Sequence, residues 1–277
     1  MEEKVRPMAF AFNAGHATIV AMPVPSNTTT ITAAFIIIGN EILSGRTEDA
    51  NLTPVAQGLG RVGVRLAEVR VVADDVTAIA ETVNQCRTVH DYVFTSGGIG
   101  PTHDDVTAAA VARAFGVPVT RHPEAMRQLV LCYGEDQLNE ARLSMADMPE
   151  GADLIENPVS QAPGFRMDNV FSMAGVPRIM VAMLAGVLPS LIGGAIVLSR
   201  SLSAEFPESE LAAGLARIQG RYPEIEIGSY PYFRQGCFGT SIVLRGTDVD
   251  VLDVAVEKVR AAMTKLGADP MKVAEEE

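Results

Sequence analysis

Apolar and polar positions follow one another along this chain in two rhythms. Residues 33–38, AAFIII, form an unbroken apolar run that ends at Gly39, the pattern of a strand buried on both faces and entering a loop. Leu52, Val55, Ala56, Leu59 and Val62 then recur at helical spacing within 49–63, with Asp49 placed to cap the helix. VRLAEVRVV (64–72) predicts a strand, Asp74 or Asp75 the cap of a helix running to about Cys86, and DYVFTS (91–96) a further buried strand. Helical spacing returns from about Asp105 to Ala114. Strand and helix taking turns in this way predict an α/β fold with a doubly wound, mostly parallel sheet.

The middle of the chain is richer in helix, with PEAMRQLVLCYG (123–134) and QLNEARLSMA (137–146). Short strands are expected near Asp153–Ile155 and Val170–Met173, then a helix over 177–194 that exits at paired glycines. Beyond Gly194 the order changes. A strand at 195–202, a helix at about 207–221, consecutive strands at 224–232 and 239–246 and an amphipathic helix at 248–267 describe a smaller α+β domain. The expected organisation is a flexible extension over 1–32, an α/β domain over 33–194, the small domain over 195–270 and a frayed tail over 271–277. Glu2 and Glu3, and the interruptions at Asn13, Gly15 and His16, set the extension apart from a secretory signal.

Composition narrows the classes of function. Of 277 residues 48% are hydrophobic, enough for a sizeable core, and the net charge is −12. So acidic a chain repels nucleic acid and anionic membrane surfaces, and no cluster of Lys or Arg offsets this. No apolar run reaches the roughly 18 residues of a membrane span. Cys86, Cys132 and Cys237 lie far apart without CxxC spacing, which argues for a reducing, cytoplasmic compartment and against a zinc site. With no Trp, and only Tyr230, Tyr232 and Phe233 close together in the small domain, no base-stacking surface is expected.

Candidate chemistry gathers in loops that leave strands. In TSGGIGPTHDDVT (95–107), Gly97, Gly98 and Gly100 free the backbone, Pro101 stiffens the turn, and a helix starting near Asp105 aims its free amides at the same place. That combination points to an anion cradle. The carboxylates of Asp104 and Asp105 fit beside it only with a divalent cation or as hydrogen-bond acceptors. The competing reading is a tight connection in which Asp104 is merely a helix cap. His103 is either a general base or an incidental exposed side chain. The loop is neither a P-loop nor a dinucleotide turn. GNEILSGRTEDAN (39–51) brings Glu41, Glu48, Asp49 and Asn51 to the same sheet edge. NPVSQAPGF (157–165) with AGVPRIM (174–180) is a third candidate, Gly175 and Pro177 opening a helix.

Taken in order, Gly39-Asn40-Glu41-Ile42-Leu43-Ser44-Gly45, Asp49-Ala50-Asn51, Ser96-Gly97-Gly98-Ile99-Gly100-Pro101-Thr102, Asp104-Asp105-Val106-Thr107, Ala162-Pro163-Gly164-Phe165 and Gly175-Val176-Pro177 resemble the molybdopterin-binding (molybdenum-cofactor biosynthesis) domain. The form is that of competence/damage-inducible protein A, and the match spans about 33–194. The same domain is fused to FAD synthases in eukaryotes. The resemblance implies a three-layer α/β fold and a small nucleotide or pterin ligand. It implies metal-dependent hydrolysis of a nucleotide pyrophosphate such as ADP-ribose, or adenylylation of molybdopterin; a binding module without chemistry is the remaining alternative. Carried over residue by residue, Asp49, Asp104 and Asp105 are the catalytic candidates. Asn40, Glu41, Asp104 and Asp105 would hold Mg²⁺ or a similar ion. Ser96, Gly97, Gly98, Gly100, Thr102, Thr107, Asn51, Gly175 and Pro177 would meet the ligand. Asn40 departs from the usual Gly-Asp-Glu, which weakens the metal set. The chain ends before the amidase domain that full-length members often add, so that activity is not expected. A homo-oligomer is expected, because the helix after Pro177 is apolar nearly all round.

Overall fold

The protein is described from a computed structural model, which covers residues 30–234 and 237–272, with backbone alone at 234, 237, 271 and 272. The first unit alternates β1 (Ile31–Ile38), α1 (Asn40–Leu43), α2 (Leu52–Arg61), β2 (Val64–Val72), α3 (Val76–Arg87), β3 (Tyr92–Ser96) and α4 (Thr107–Phe115). It continues with β4 (Val119–Arg121), α5 (Pro123–Tyr133), α6 (Glu140–Leu143), β5 (Asp147–Pro149), β6 (Asp153–Ile155), β7 (Gly164–Met167), β8 (Val170–Met173) and α7 (Pro177–Val187). A six-stranded sheet runs β2-β1-β3-β8-β7-β6, parallel through its first four strands and antiparallel at β7 and β6.

Periodicity explains the layers. Ala33 to Ile38 are all buried, since β1 lies between two parallel neighbours and under helices on both faces. Ala34, Ile36 and Ile38 join the core under α3, α4 and α5, while Ala33, Phe35 and Ile37 join the core under α2 and α7. The fold is thus α/β in three layers. Asp75 caps α3, accepting from the amides of Thr77 and Ala78 at 3.0 and 2.8 Å.

The second unit is β9 (Leu198–Ala204), α8 (Glu208–Arg221), β10 (Glu226–Arg234), β11 (Cys237–Gly246), α9 (Val249–Lys265) and β12 (Met271–Lys272), in sheet order β10-β11-β9-β12. This is the split βαβ arrangement, with a separate apolar core built from residues such as Leu202, Leu211, Ile242 and Leu252.

Several expectations need correction. Ile31 and Thr32 belong to β1, not to an extension; the rest of that stretch, 1–29, lies outside the described residues. Met271 and Lys272 pair with Ser203 and Leu202, so the frayed tail does not begin at 271. The helix expected from about Asp105, α4, begins at Thr107, because Asp105 turns back to bond Thr102. Residues 137–146 are no single helix. Asn139 caps the four residues of α6, and a 3₁₀ turn over Ser144–Ala146 follows. α7 stops at Val187, where Pro189 allows only a 3₁₀ turn, and Gly194 then donates to the Gly63 carbonyl at 2.9 Å. β9 starts at Leu198, where Gly246 first offers a partner. β4, β5 and β7 carry too few residues to show a period. Among the described residues, no helix is long and apolar enough to cross a membrane.

Candidate functional site

From β1 the chain crosses through α2 to β2 on one side, and from β2 through α3 to β3 on the other side of β1. That reversal opens a crevice at the carboxyl ends of β1 and β3, where ligands gather in such sheets. The loops after β1, β3 and β8 all end there, and Asn51 ties them together. Its amide nitrogen donates to Ser96 Oγ and to the Gly175 carbonyl, each at 2.8 Å. Because a carbonyl only accepts, the NH₂ must face Gly175, and the amide oxygen is the atom left over. Asn51 is only 5% exposed, and that oxygen has no donor among the described residues. Thr95 Oγ1 and Ser172 Oγ, paired in register on β3 and β8, are likewise buried without a partner.

The glycines of the β3 loop are required by contact as well as by conformation. Gly97 has φ +108°, and a Cβ there would lie 2.2 Å from the Ile38 carbonyl oxygen. At Gly98, φ +66°, it would lie 2.3 Å from Thr107 Oγ1. Thr107, fully buried, locks the turn by donating Oγ1 to Gly97 O at 2.9 Å and its amide to Gly98 O at 3.0 Å. Gly175 presses on the same turn, its added Cβ 3.2 Å from Gly97 Cα. α4 has no side-chain cap, and the amides of Ala108 and Ala109 find no acceptor among the described residues. The first turn of α4 is therefore a source of free donors with positive potential.

The acidic candidates fall into different situations. Asp49 Oδ2 accepts from the Leu52 amide at 2.8 Å and so caps α2. Asp105 Oδ2 accepts from the Thr102 amide at 2.7 Å and from its hydroxyl, so it shapes the loop. The same threonine, followed by the residue's own backbone amide, holds the exposed Asp104 carboxyl below the usual carboxylate range. The Glu41 carboxylate folds over Gly39, where an added Cβ would come within 2.7 Å of it. Asn40 is exposed, and its backbone N–H donates to Asp74 Oδ2 at 2.8 Å. Pro177 is the first residue of α7, whose N-cap, Val176, offers no side-chain bond.

An all-oxygen donor set suits a hard cation. Among the described residues, however, no three His, Cys, Asp or Glu side chains gather as a metal cage. A Mg²⁺ held here would take one or two carboxylates and complete its shell with ligand oxygens and water.

A cavity of about 180 Å³ opens beside Gly98, Ile99 and Gly100. Its other walls are Asp105, Ala108 and Ala109, then Ser144, Met145, Asp147 and Met148, and Pro163 with Phe165. Sequence reasoning missed Ser144 and Asp147, since 137–146 was expected to be helix; Asp147 itself is paired with Arg121 at 2.8 Å. Val119 also contributes from β4. The NPVSQAPGF segment is less free than expected. Asn157 accepts from the amides of Val159 and Ser160 and donates to Ala162 O, closing the turn on itself. A larger cleft of about 320 Å³, lined by Glu124, Gln128, Glu156 and Gln161 among others, has no glycine turn at its wall, and the first turn of α5 that reaches it carries the carboxylate of Glu124.

Residues 34–193 match the family described as "Probable molybdopterin binding domain", and 196–270 match "FAD synthase, middle domain". A protein of Aeropyrum pernix is 34% identical over 254 residues, covering 85% of this chain and 94% of its own. A CinA-like protein of Syntrophus aciditrophicus is 34% identical over 211 residues, which are 72% of this chain and 50% of that one, so this chain spans about half of it. The crystal structure of the protein CinA, of unknown function, from Thermoplasma acidophilum superposes with a TM-score of 0.54 at 34% identity, covering 57% of this chain and 98% of that one. The chain belongs to the molybdopterin-binding domain family, among its CinA-like members.

Proposed function

We propose that the cleft binds a small nucleotide pyrophosphate such as ADP-ribose and hydrolyses its phosphoanhydride. The observation that carries this reading is the uncapped first turn of α4, where Ala108 and Ala109, whose amides are unpaired among the described residues, line a cavity shared with a glycine turn and Asp105. Free amides with no side-chain cap suit a phosphate, and the carboxylates around them suit a phosphate that arrives with a cation.

The roles divide by chemistry. Gly97 and Gly98 bring bare backbone to the ligand, and Thr107 holds that backbone in place. Asp105 keeps the loop in its turn. Asp104, held below its usual range, is a poor base and a good cation ligand, so its part is to carry charge. A divalent cation shared by Asp104, Glu41 and the ligand would polarise a phosphoryl oxygen. Water attacks one phosphorus, the bridging P–O bond breaks, two phosphomonoesters leave, and the proton passes to solvent at the exposed acidic edge. The apolar walls of the cavity, Ile99, Met145, Met148 and Phe165, favour a second reading, a pterin phosphate as ligand for adenylylation. Asn40 favours a module that binds without turnover.

Titration calorimetry with ADP-ribose and with a pterin phosphate, in Mg²⁺ and then in EDTA, separates these. The expected outcome is ADP-ribose binding that collapses in EDTA and returns with Mg²⁺. AMP release should fall by about 100-fold or more in Asp104→Ala at unchanged thermal stability. Binding indifferent to EDTA, with no AMP released, would remove the hydrolase reading.

A further inference from the structure

The cavity beside the glycine turn has a lopsided wall. Its hydrogen-bonding side chains are Asp105, Ser144 and Asp147, and the other side chains are apolar. All three can only accept there. Ser144 donates the one proton of its hydroxyl to the Ala141 carbonyl at 2.8 Å, so lone pairs are what remains. Asp105 spends Oδ2 on Thr102. Asp147 receives Arg121 Nε on Oδ1 at 2.8 Å and Nη2 on Oδ2 at 3.2 Å, and each oxygen keeps a second lone pair. Donors at this wall come from the backbone, among them the amides of Ala108 and Ala109. Asp147 is also firmly placed. It sits on β5 opposite Arg121 of β4, and its neighbour Met148 is 2% exposed in the core. The remaining surface includes Ile99, Met145, Met148, Pro163 and Phe165. At about 180 Å³ the cavity is smaller than the roughly 300–1,000 Å³ that encloses a drug-sized ligand, so it takes one ring system.

We propose that Asp147 selects the ring of the ligand, and that this ring carries two adjacent N–H donors, the 2-amino-4-oxopyrimidine edge that guanine and pterins share. The inference rests on the reading of the cleft as a nucleotide site and changes the base it prefers, so that ADP-ribose binds more weakly than its guanine counterpart. A carboxylate accepts a pair of parallel N–H groups as a fork, and guanine offers its ring N–H beside its amino group. Adenine offers an amino group beside a bare ring nitrogen. One oxygen of Asp147 would then face a lone pair, and a buried acceptor set against an acceptor costs affinity. A site built to bond a group discriminates strongly against the analogue that lacks it. Ribose hydroxyls also donate to carboxylates, but a sugar has no flat face for the Met and Phe side chains to cover. The phosphates still meet the first turn of α4.

Titration calorimetry of the full chain in Mg²⁺ with GDP, IDP and ADP tests it, since the three differ only in the base. The expected order is GDP tightest, then IDP, which lacks the 2-amino group, then ADP, with about 10-fold or more between GDP and ADP. Asp147→Asn, which keeps the shape and turns one acceptor into a donor, should lower GDP affinity to that of ADP. Arg121→Met, which removes the ion pair and keeps the carboxylate, should preserve the preference for GDP. Equal affinity for the three, a preference that survives Asp147→Asn, or an equal loss for all three in that variant overturns the inference and leaves the phosphate site standing. A preference lost in both variants alike overturns it too, since the ion pair would then be the cause. A pterin phosphate separates the two sources of the edge. Binding of the pterin in place of GDP, weakened by Asp147→Asn, supports the inference and assigns the edge to a pterin. No binding by any of the four ligands overturns this inference together with the reading it rests on. Should Asp147→Asn fail to fold, the wild-type order of GDP, IDP and ADP decides.

Discussion

Gly97 and Gly45 both have positive φ, +108° and +70°, yet they differ in what surrounds them. Gly45 has open space about it, whereas a Cβ on Gly97 would meet the Ile38 carbonyl oxygen at 2.2 Å. Gly45→Ala should therefore cost about 1 kcal/mol, the price of conformation alone. Gly97→Ala should cost about 3 kcal/mol or more, because the β1 and β3 ends must separate. Urea unfolding of the two variants checks this, and equal losses would show that contact with β1 is unimportant. The two neighbouring aspartates illustrate the same dependence on surroundings. Asp105 shapes the loop through Thr102, whereas Asp104 stands exposed at the loop surface.

At the scale of elements, the edge strand β2 is held by polar ties as well as by its ladder to β1. Glu68 pairs with Arg70 at 2.7 Å and with His90 at 3.2 Å, and Arg70 reaches Gln85 of α3. Arg70 first, then His90, hold the Glu68 carboxyl below its ordinary value. A carboxylate lowered on folding adds stability that is present above its unfolded pKa, about 4.3, and is lost as pH falls through the folded value. Both side chains are about one-third exposed, so solvent screens the pair and the gain stays near 0.5 kcal/mol. Glu68→Gln should lower stability by that amount at pH 7, and the deficit should vanish as pH falls through the lowered folded value of Glu68. Thermal melts across that range would show it, and a deficit constant with pH would assign the loss to packing.

Across the whole molecule, the apolar cores divide by sequence. Core residues of the six-stranded sheet unit come from between Ile31 and Leu191, and those of the second unit from between Leu198 and Ala268. The stretch between them carries exposed Ile192, Ile196 and Val197. Two separate cores predict two calorimetric transitions. Leu252→Ala, fully buried in the second core, should lower only one of them, by about 2–4 kcal/mol. A single transition that moves as a whole would mean that the cores unfold together.

The sequence by itself determined which segments become strands and helices wherever a period had room to repeat. AAFIII, VRLAEVRVV and DYVFTS each became a strand, and the glycine turn after Ser96 could be read as a site. Those properties are local, set by side chains a few residues apart. Only the tertiary structure decided what depends on distant neighbours. β4, β5 and β7 are three or four residues long and exist because a partner strand pairs with them. Asn51 meets Ser96 and Gly175, residues 45 and 124 positions away, and nothing near it in the chain announces that. Asp49 was legible as a helix cap because its partner lies three residues on, but Asp105, read as a ligand or cation carboxylate, is assigned by chain folding to a turn. The separation has a physical cause. A period is written in consecutive residues, whereas a hydrogen bond across a sheet edge is settled only when the crossovers bring its two ends together.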